Sequence, residues 1–223
     1  MITACYGLGG VGKTQLVIEY LYRHFNDYRL IIWIPADNAS QIKEAYLGLA
    51  HDLKLVAVGE KITVKEAVRR VQGYLTNQLS TLLIYDNVLK YDVLEKYLPL
   101  LGCDVLVTSR HTQWPGEAIE VDVFSLEDAR LYVKKIIKKI TKQDEEENNI
   151  DKLIIILGYL PLALAQACAY IHRNKKTIAS YLALYEKRRL ELLNSKLLSV
   201  GVRHEPVSVT WNITLEAMKN ECS

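Results

Sequence analysis

The sequence lacks the closely spaced cysteine and histidine motifs that bind metals. The 223-residue sequence has four cysteines and five histidines, but it contains neither a C-x-x-C pair nor an H-E-x-x-H motif. The cysteines lie far apart along the chain, which does not indicate a disulfide framework. The sequence therefore predicts reduced thiols in a cytoplasmic protein and no zinc site.

The sequence also lacks a large net charge and segments of low complexity. The formal net charge is +2, so there is no basic excess that would indicate a nucleic-acid partner. Five prolines and eleven glycines are too few for a fibrous or disordered chain, and half of the residues are hydrophobic. The chain does not open with a basic segment followed by an apolar core, so no signal peptide is predicted.

One apolar run is long enough to raise the question of a membrane span. Residues 153–171 carry no charge, and a span of about 20 residues can cross a bilayer. Pro161 lies near the middle of the run and would break such a helix, whereas proline suits the first turn of a new helix. We therefore predict two buried helices joined at Gly158–Pro161, and no membrane span.

The most informative segment is GLGGVGKT at 7–14, which fits the phosphate-loop pattern G-x-x-x-x-G-K-[ST]. Glycines allow several backbone N–H groups to point at one anion without a Cβ in the way. Lys13 adds a positive charge for the outer phosphates, and the Thr14 hydroxyl can ligate Mg²⁺. An apolar strand at 2–6 precedes the loop, and the helix at 13–25 adds its anion-binding N terminus. The predicted nucleotide-binding residues in this segment are Gly7, Gly9, Gly10, Val11, Gly12, Lys13, Thr14 and Gln15.

Strands and helices alternate over the first half of the chain. Apolar runs predict further strands at 30–35, 81–86, 103–109 and 118–124, and amphipathic periodicity predicts helices over 42–56 and 64–79. This alternation indicates an α/β fold, with a parallel sheet and helices on both of its faces. Beyond residue 124 only helical patterns follow, so we place a domain boundary there.

The helical part begins at Ser125, a predicted N-cap, with Asp128 in the place of a capping-box glutamate. Further helices are predicted at 150–157, 161–173 and 177–193. The lysine-rich face of the first of these helices is typical of a solvated surface, although basic amphipathic helices can also lie on membranes.

Two charged residues follow predicted strands at the edge of the sheet where the phosphate loop lies. Asp86 ends the apolar run LLIYD, which is the position of a Mg²⁺-coordinating Walker B carboxylate. Arg110 follows the strand that ends in VTSR, where it can bind a third phosphate through charge-assisted hydrogen bonds. The alternatives are a helix-capping aspartate and an ordinary surface arginine. The predicted metal ligands are Thr14 and Asp86, and the predicted catalytic residues are Lys13, Asp86 and Arg110.

The segments GLGGVGKTQL, LLIYDNV, VLVTSR and GYLPLALAQACAYI occur in an order that resembles the NB-ARC domain of the STAND class of P-loop signalling ATPases. The resemblance covers nearly the whole chain. Its most specific part is PLAL at 161–164 with the preceding Gly158, because this part lies outside the phosphate-loop core. The resemblance implies a five-stranded sheet with strand order 5-1-4-3-2, and it implies that Pro161 packs near the adenine of a bound nucleotide.

The resemblance also implies a function. ADP would hold a closed state by bridging the α/β and helical domains, and ATP with Mg²⁺ would favour an open state competent for assembly. The implied partners are an adenine nucleotide, other domains of the full-length protein and, through nucleotide-driven self-association, further copies of it. Two alternatives stay open: a degenerate scaffold that retains ADP without turnover, and a working P-loop ATPase or kinase.

Two sequence details bear on the reaction. Many members of the family carry a second acid directly after the Walker B aspartate, whereas this chain has Asn87, whose amide cannot accept a proton. We therefore expect at most a slow ATPase. Asp92 is a possible substitute for the second acid, but we expect it to lie on a helix that faces away from the site. The sequence TKQD at 141–144 resembles a guanine-reading motif, but it follows a helix rather than a strand, so we expect adenine rather than guanine nucleotides.

By resemblance, the chain comprises a nucleotide-binding α/β domain at 1–124, a helical domain at 125–200 and the truncated start of a winged-helix domain at 201–223. The helix predicted at 209–218 would open this last domain, with Trp211 partly exposed. We expect the family's segment before the first strand, and the ADP-contacting histidine of the complete winged helix, to be absent.

Overall fold

The computed structural model describes residues 2–99, 102–140, 147–194 and 205–221. The chain divides into two compact units. One comprises Met1–Leu8 with Gly12–Val121, and the other comprises Gly9–Val11 with Asp122–Ser223. Three residues of the glycine loop, Gly9–Val11, are thus grouped with the second unit, although their neighbours in sequence belong to the first.

The first unit is built on a parallel sheet with the strand order β2-β3-β4-β1-β5, which confirms the predicted order read from its other edge. Its strands are β1 (Ile2–Tyr6), β2 (Leu30–Pro35), β3 (Thr81–Val88), β4 (Cys103–Ser109) and β5 (Glu117–Glu120). Its helices are α1 (Lys13–His24), α2 (Ala39–Asp52), α3 (Val64–Thr76) and the short α4 (Tyr91–Leu94).

Side chains of β3 alternate between two cores because successive residues of a strand point to opposite faces. Leu83 and Tyr85 are buried in one core together with residues of α2 and α3. Leu82 and Ile84 are buried in the other core with Val17 of α1. Helices therefore cover both faces of the sheet, as predicted, and the phosphate loop and the strand ends meet at one edge.

The fifth strand is shorter than predicted. It spans Glu117–Glu120 rather than 118–124, and all four of its residues are exposed. Among the described strands, β5 pairs only with β1, as an edge strand. Because its residues are exposed, it buries little apolar surface. Directly after it, the Val121 N–H still donates to the Tyr6 carbonyl at 2.7 Å.

The second unit is helical, and its helices are α5 (Leu126–Ile140), α6 (Glu147–Ile156), α7 (Pro161–Arg173), α8 (Ile178–Asn194) and α9 (Glu205–Glu221). Helix α7 packs against α5, α8 and α9. The Ser125 hydroxyl accepts from the Asp128 N–H at 3.1 Å, which confirms the predicted N-cap. In α9, Val209 and Ile213 are buried while Trp211 is 54% exposed.

The long apolar run is divided between two helices, as predicted. Helix α6 ends at Ile156, and Gly158 and Tyr159 then adopt φ angles of 62° and 58°. Pro161 is the first residue of α7, where its missing N–H costs no hydrogen bond. No helix among the described residues is long and apolar enough to span a bilayer. The TKQD sequence at 141–144 lies outside the described residues.

Candidate phosphate-binding site

The glycine loop connects β1 to α1 through left-handed backbone conformations. Gly10 and Gly12 have φ angles of 85° and 101°, which strain residues that carry a Cβ. Gly12 is the N-cap of α1, where no side chain accepts from the helix N terminus, and the first turn of α1 contains no acidic residue. The first N–H groups of α1 are therefore suited to an anion, which the helix dipole also attracts.

Lys13 is buried at the start of this helix, with only 7% of its surface exposed. Its ammonium group donates to the Gly7 and Leu8 carbonyls at 3.0 and 2.8 Å. A lysine ammonium group has three N–H donors, so one is left for a ligand oxygen. The lysine thus closes the loop on itself and still presents a charge to it.

Two charged side chains act on the Lys13 ammonium group. Burial lowers the pKa of Lys13 below the usual value of lysine, and the Arg110 guanidinium lowers it further, whereas the Asp86 carboxylate raises it. Arg110 directly follows β4, and its side chain is exposed. Of the predicted catalytic residues, Asp86 and Arg110 therefore both lie within electrostatic range of Lys13.

Thr14 and Asp86 meet although they lie 72 positions apart in the sequence. The Thr14 hydroxyl donates to Asp86 Oδ1 at 2.8 Å. A hydroxyl that gives its only proton to a carboxylate keeps its oxygen lone pairs for a cation. Hydroxyl and carboxylate oxygens are ligands that Mg²⁺ accepts, so this pair fits the metal that the phosphate loop implies.

A β-bulge shapes β3 at Asp86. Between the paired positions 85/107 and 88/109, Asp86 and Asn87 of β3 lie opposite a single residue of β4, Thr108. Asn87 has a φ angle of 65°, a left-handed conformation that asparagine adopts more readily than most residues. Bulges often redirect side chains at functional sites, and this one lies at the predicted metal ligand.

Thr108 fills the space opposite the bulge. Its side chain is fully buried, its hydroxyl oxygen accepts from the Asn87 N–H at 2.9 Å, and the hydroxyl donates to Asp86 Oδ1. No local sequence pattern marks Thr108, because Arg110 is the charged residue of the VTSR segment. The register of adjacent parallel strands, which places a hydroxyl opposite the Walker B acid, is the signal that points to it.

The remaining predicted residues have different settings. Gln15 is exposed on α1, and no contact among the described residues gives it a role. Val11 is buried in the second unit. In that unit the N–H of Leu162, which follows Pro161, donates to the Gly10 carbonyl at 3.1 Å. A Cβ at Gly10 would lie 3.1 Å from the Leu162 Cβ, so Gly10 and the start of α7, which belong to the same unit, approach closely.

Relatives with described functions resemble this chain over most of its length. A nucleotide-binding leucine-rich repeat (NLR)-like protein of Hyaloscypha variabilis is 28% identical over 248 residues, which cover 95% of this chain and 24% of the relative. The regulatory protein AfsR of Streptomyces griseus is 27% identical over 217 residues, which cover 92% of this chain and 22% of the relative. The chain thus spans less than a quarter of the length of these two relatives.

Solved structures share the fold at low sequence identity. Cdc6p from Pyrobaculum aerophilum superposes with a TM-score of 0.57 at 14% identity, covering 92% of this chain and 63% of that protein. The replication initiator DnaA, bound to AMPPCP and single-stranded DNA, superposes with a TM-score of 0.55 at 16% identity, covering 90% of this chain and 65% of that protein. Residues 1–130 match the NB-ARC domain. The chain therefore has the nucleotide-binding fold of P-loop NTPases and belongs to the NB-ARC family.

Proposed function

We propose that this chain is the nucleotide-responsive part of a cytoplasmic signalling switch. It binds ADP in a closed state and ATP with Mg²⁺ in a state competent for assembly, and it hydrolyses ATP slowly. The observation that carries this proposal is the meeting of the α1 N terminus, the buried Lys13 and the Thr14–Asp86 pair at one loop. Membership of the NB-ARC family supports it, as does the nucleotide-binding description of the Hyaloscypha variabilis relative.

Each group at the loop has a distinct role in this proposal. The N–H groups of the loop and of α1 bind phosphate oxygens, and Lys13 neutralises part of their charge. Thr14 and Asp86 hold Mg²⁺, which supplies further positive charge to the phosphates. Arg110 contacts the third phosphate and so distinguishes ATP from ADP.

The proposal also assigns domains. Residues 1–124 form the nucleotide-binding domain, residues 125–200 form the helical domain, and α9 belongs to a winged-helix domain. The hydrogen bond from the Leu162 N–H to the Gly10 carbonyl supports the proposal that a change in the backbone at Gly10 is transmitted to α7. A phosphate that reorients the loop peptides acts on a carbonyl that the first turn of α7 holds.

Amide hydrogen exchange at Leu162 tests this switch. We expect the Leu162 N–H to exchange about tenfold faster with AMPPCP and Mg²⁺ than with ADP, because the closed state keeps its bond to Gly10. Sedimentation velocity of the same samples is expected to show self-association only with AMPPCP. Identical exchange and identical mass with both nucleotides would contradict the proposed switch and favour a scaffold that does not respond to the third phosphate.

Arg110→Ala is expected to lower ATP affinity more than ADP affinity, since only ATP presents the third phosphate. A hydrogen bond to a charged group contributes about 1.5–3 kcal/mol, so AMPPCP should bind roughly 10- to 150-fold more weakly while ADP binding stays within about twofold. Calorimetric titration measures both affinities. Arg29→Ala is the matched control, because Arg29 is exposed and precedes β2 at the opposite end of the parallel sheet. An equal loss for both nucleotides would make Arg110 a structural residue.

A further inference from the structure

We propose that Thr108 is a positioning residue of the metal site, which holds the Asp86 carboxylate in the orientation that receives Mg²⁺. The inference rests on the proposed role of Asp86 as a metal ligand. It extends the site to a strand that contributes neither the phosphate loop nor the Walker B acid.

One oxygen of the Asp86 carboxylate is held by two hydrogen bonds. Asp86 Oδ1 accepts from the hydroxyls of both Thr14 and Thr108, and these two donors come from α1 and β4. Two donors in different directions fix both the position and the rotation of a carboxylate. Among the described residues, both hydrogen bonds of the Asp86 side chain end on Oδ1, which leaves Oδ2 for a cation or for the water that it carries.

The Thr108 hydroxyl proton has a fixed direction. The Asn87 N–H can only donate, so the Thr108 oxygen must accept from it. An ionised Asp86 carboxylate can only accept, so the Thr108 proton must point at it. Thr108 is fully buried, and water therefore does not compete for either bond.

Thr108 also stabilises the β-bulge at Asp86 and Asn87. An extra residue in one strand interrupts the ladder of backbone hydrogen bonds and leaves an N–H without its usual partner. Here that N–H belongs to Asn87, and Thr108 satisfies it with a side chain. One hydroxyl thus stabilises the backbone conformation that presents Asp86 and also orients its carboxylate. A valine of the same shape provides neither bond.

Removing groups that orient a metal ligand typically lowers metal affinity by about 10- to 100-fold. We therefore expect Thr108→Val to reduce, by about this factor, the gain in ADP affinity that Mg²⁺ provides, and to leave metal-free ADP affinity within about twofold. Thr108→Ser keeps the hydroxyl and is expected to retain the gain. The experiment titrates the purified chain with a fluorescent ADP analogue at a series of Mg²⁺ concentrations and in EDTA.

Two comparison variants make the outcome specific. Thr81→Val is the matched control, because Thr81 is a buried β3 threonine whose hydroxyl has no hydrogen-bond partner in the described chain, and it is expected to keep the Mg²⁺ gain. Asp86→Asn is expected to lose the gain. If Asp86→Asn keeps the gain, then Asp86 is not the metal ligand, and both the proposed metal site and this inference are wrong.

If Asp86→Asn loses the gain and Thr108→Val keeps it, the metal site stands and the inference about Thr108 is overturned. A loss of metal-free affinity in Thr108→Val equal to the loss with Mg²⁺, or a loss of the gain in Thr108→Ser, overturns it as well. Thr108→Ala removes the same hydroxyl and replaces Thr108→Val if the valine variant does not fold. Failure of both variants to fold assigns Thr108 to the stability of the bulge alone and also contradicts the inference.

Discussion

Lys13→Ala is expected to weaken the binding of both ADP and ATP by roughly 10- to 150-fold. The estimate follows from the loss of a hydrogen bond to a charged group, which contributes about 1.5–3 kcal/mol. Lys13 is buried, and its ammonium group donates to the Gly7 and Leu8 carbonyls, so the side chain is already positioned over the loop. Little conformational entropy is therefore lost when a phosphate binds, and the lysine contributes most of its attraction.

Calorimetric titration with ADP measures this loss. Lys43→Ala is the matched control, since Lys43 is an exposed lysine on α2. The Lys43→Ala variant should bind ADP with the same affinity as the unaltered chain. Unfolding of Lys13→Ala must be excluded by circular dichroism, because the variant leaves two loop carbonyls without their donor. Unchanged ADP affinity in a folded Lys13→Ala protein would remove Lys13 from the site.

The lowered pKa of Lys13 adds a pH dependence to this prediction. Burial and the Arg110 guanidinium favour the neutral amine, so the ammonium group loses its proton at a lower pH than an ordinary lysine. ADP affinity should therefore fall as the pH rises. This fall should begin at a lower pH than the range in which free lysine titrates. Lys13→Arg keeps a permanent charge and is expected to remove this decline.

Asn87→Asp is expected to accelerate ATP hydrolysis by about 10²- to 10⁴-fold. A carboxylate can accept a proton from an attacking water, whereas an amide cannot, and a general base typically contributes a factor of this size. Asn87 lies beside Asp86 with an exposed side chain, at the edge where the phosphates are expected. Aspartate also tolerates the left-handed φ angle of 65°, so the substitution should not disturb the bulge.

Single-turnover release of phosphate with Mg²⁺ and ATP measures this gain. Asp92→Asn tests the other acid near this edge, which is exposed on α4, and it is expected to leave the rate of the unaltered chain unchanged. If Asn87→Asp binds ATP normally and releases phosphate no faster, position 87 is not the site of a general base. The slow hydrolysis proposed for the unaltered chain would then need a different cause.

The sequence predicts most of the first unit because its signals are local. Apolar runs mark the strands, and the glycine loop follows β1 directly, so the parallel sheet and its edge can be inferred from residues close together in the chain. The contact between Thr14 and Asp86 also follows, since a phosphate loop and the carboxyl end of a neighbouring strand meet at one sheet edge. The break at Pro161 is equally predictable from the conformation of proline.

Other features depend on contacts between distant segments. The run TLLIYDNV has the pattern of an uninterrupted strand, and the bulge at Asp86 emerges only when β3 is aligned with β4. The role that we propose for Thr108 depends on that alignment, so no local pattern predicts it. The approach of Gly10 to Leu162 likewise depends on tertiary packing, which no local pattern encodes.

We propose that this chain binds adenine nucleotides at the glycine loop, and calorimetric titration of the nucleotide-free chain with ADP and Mg²⁺ measures this binding. We expect saturable binding of one ADP per chain, much weaker binding to Lys13→Ala, and poor competition by GDP. Absence of binding at millimolar ADP, or equal affinity for ADP and GDP, would contradict it.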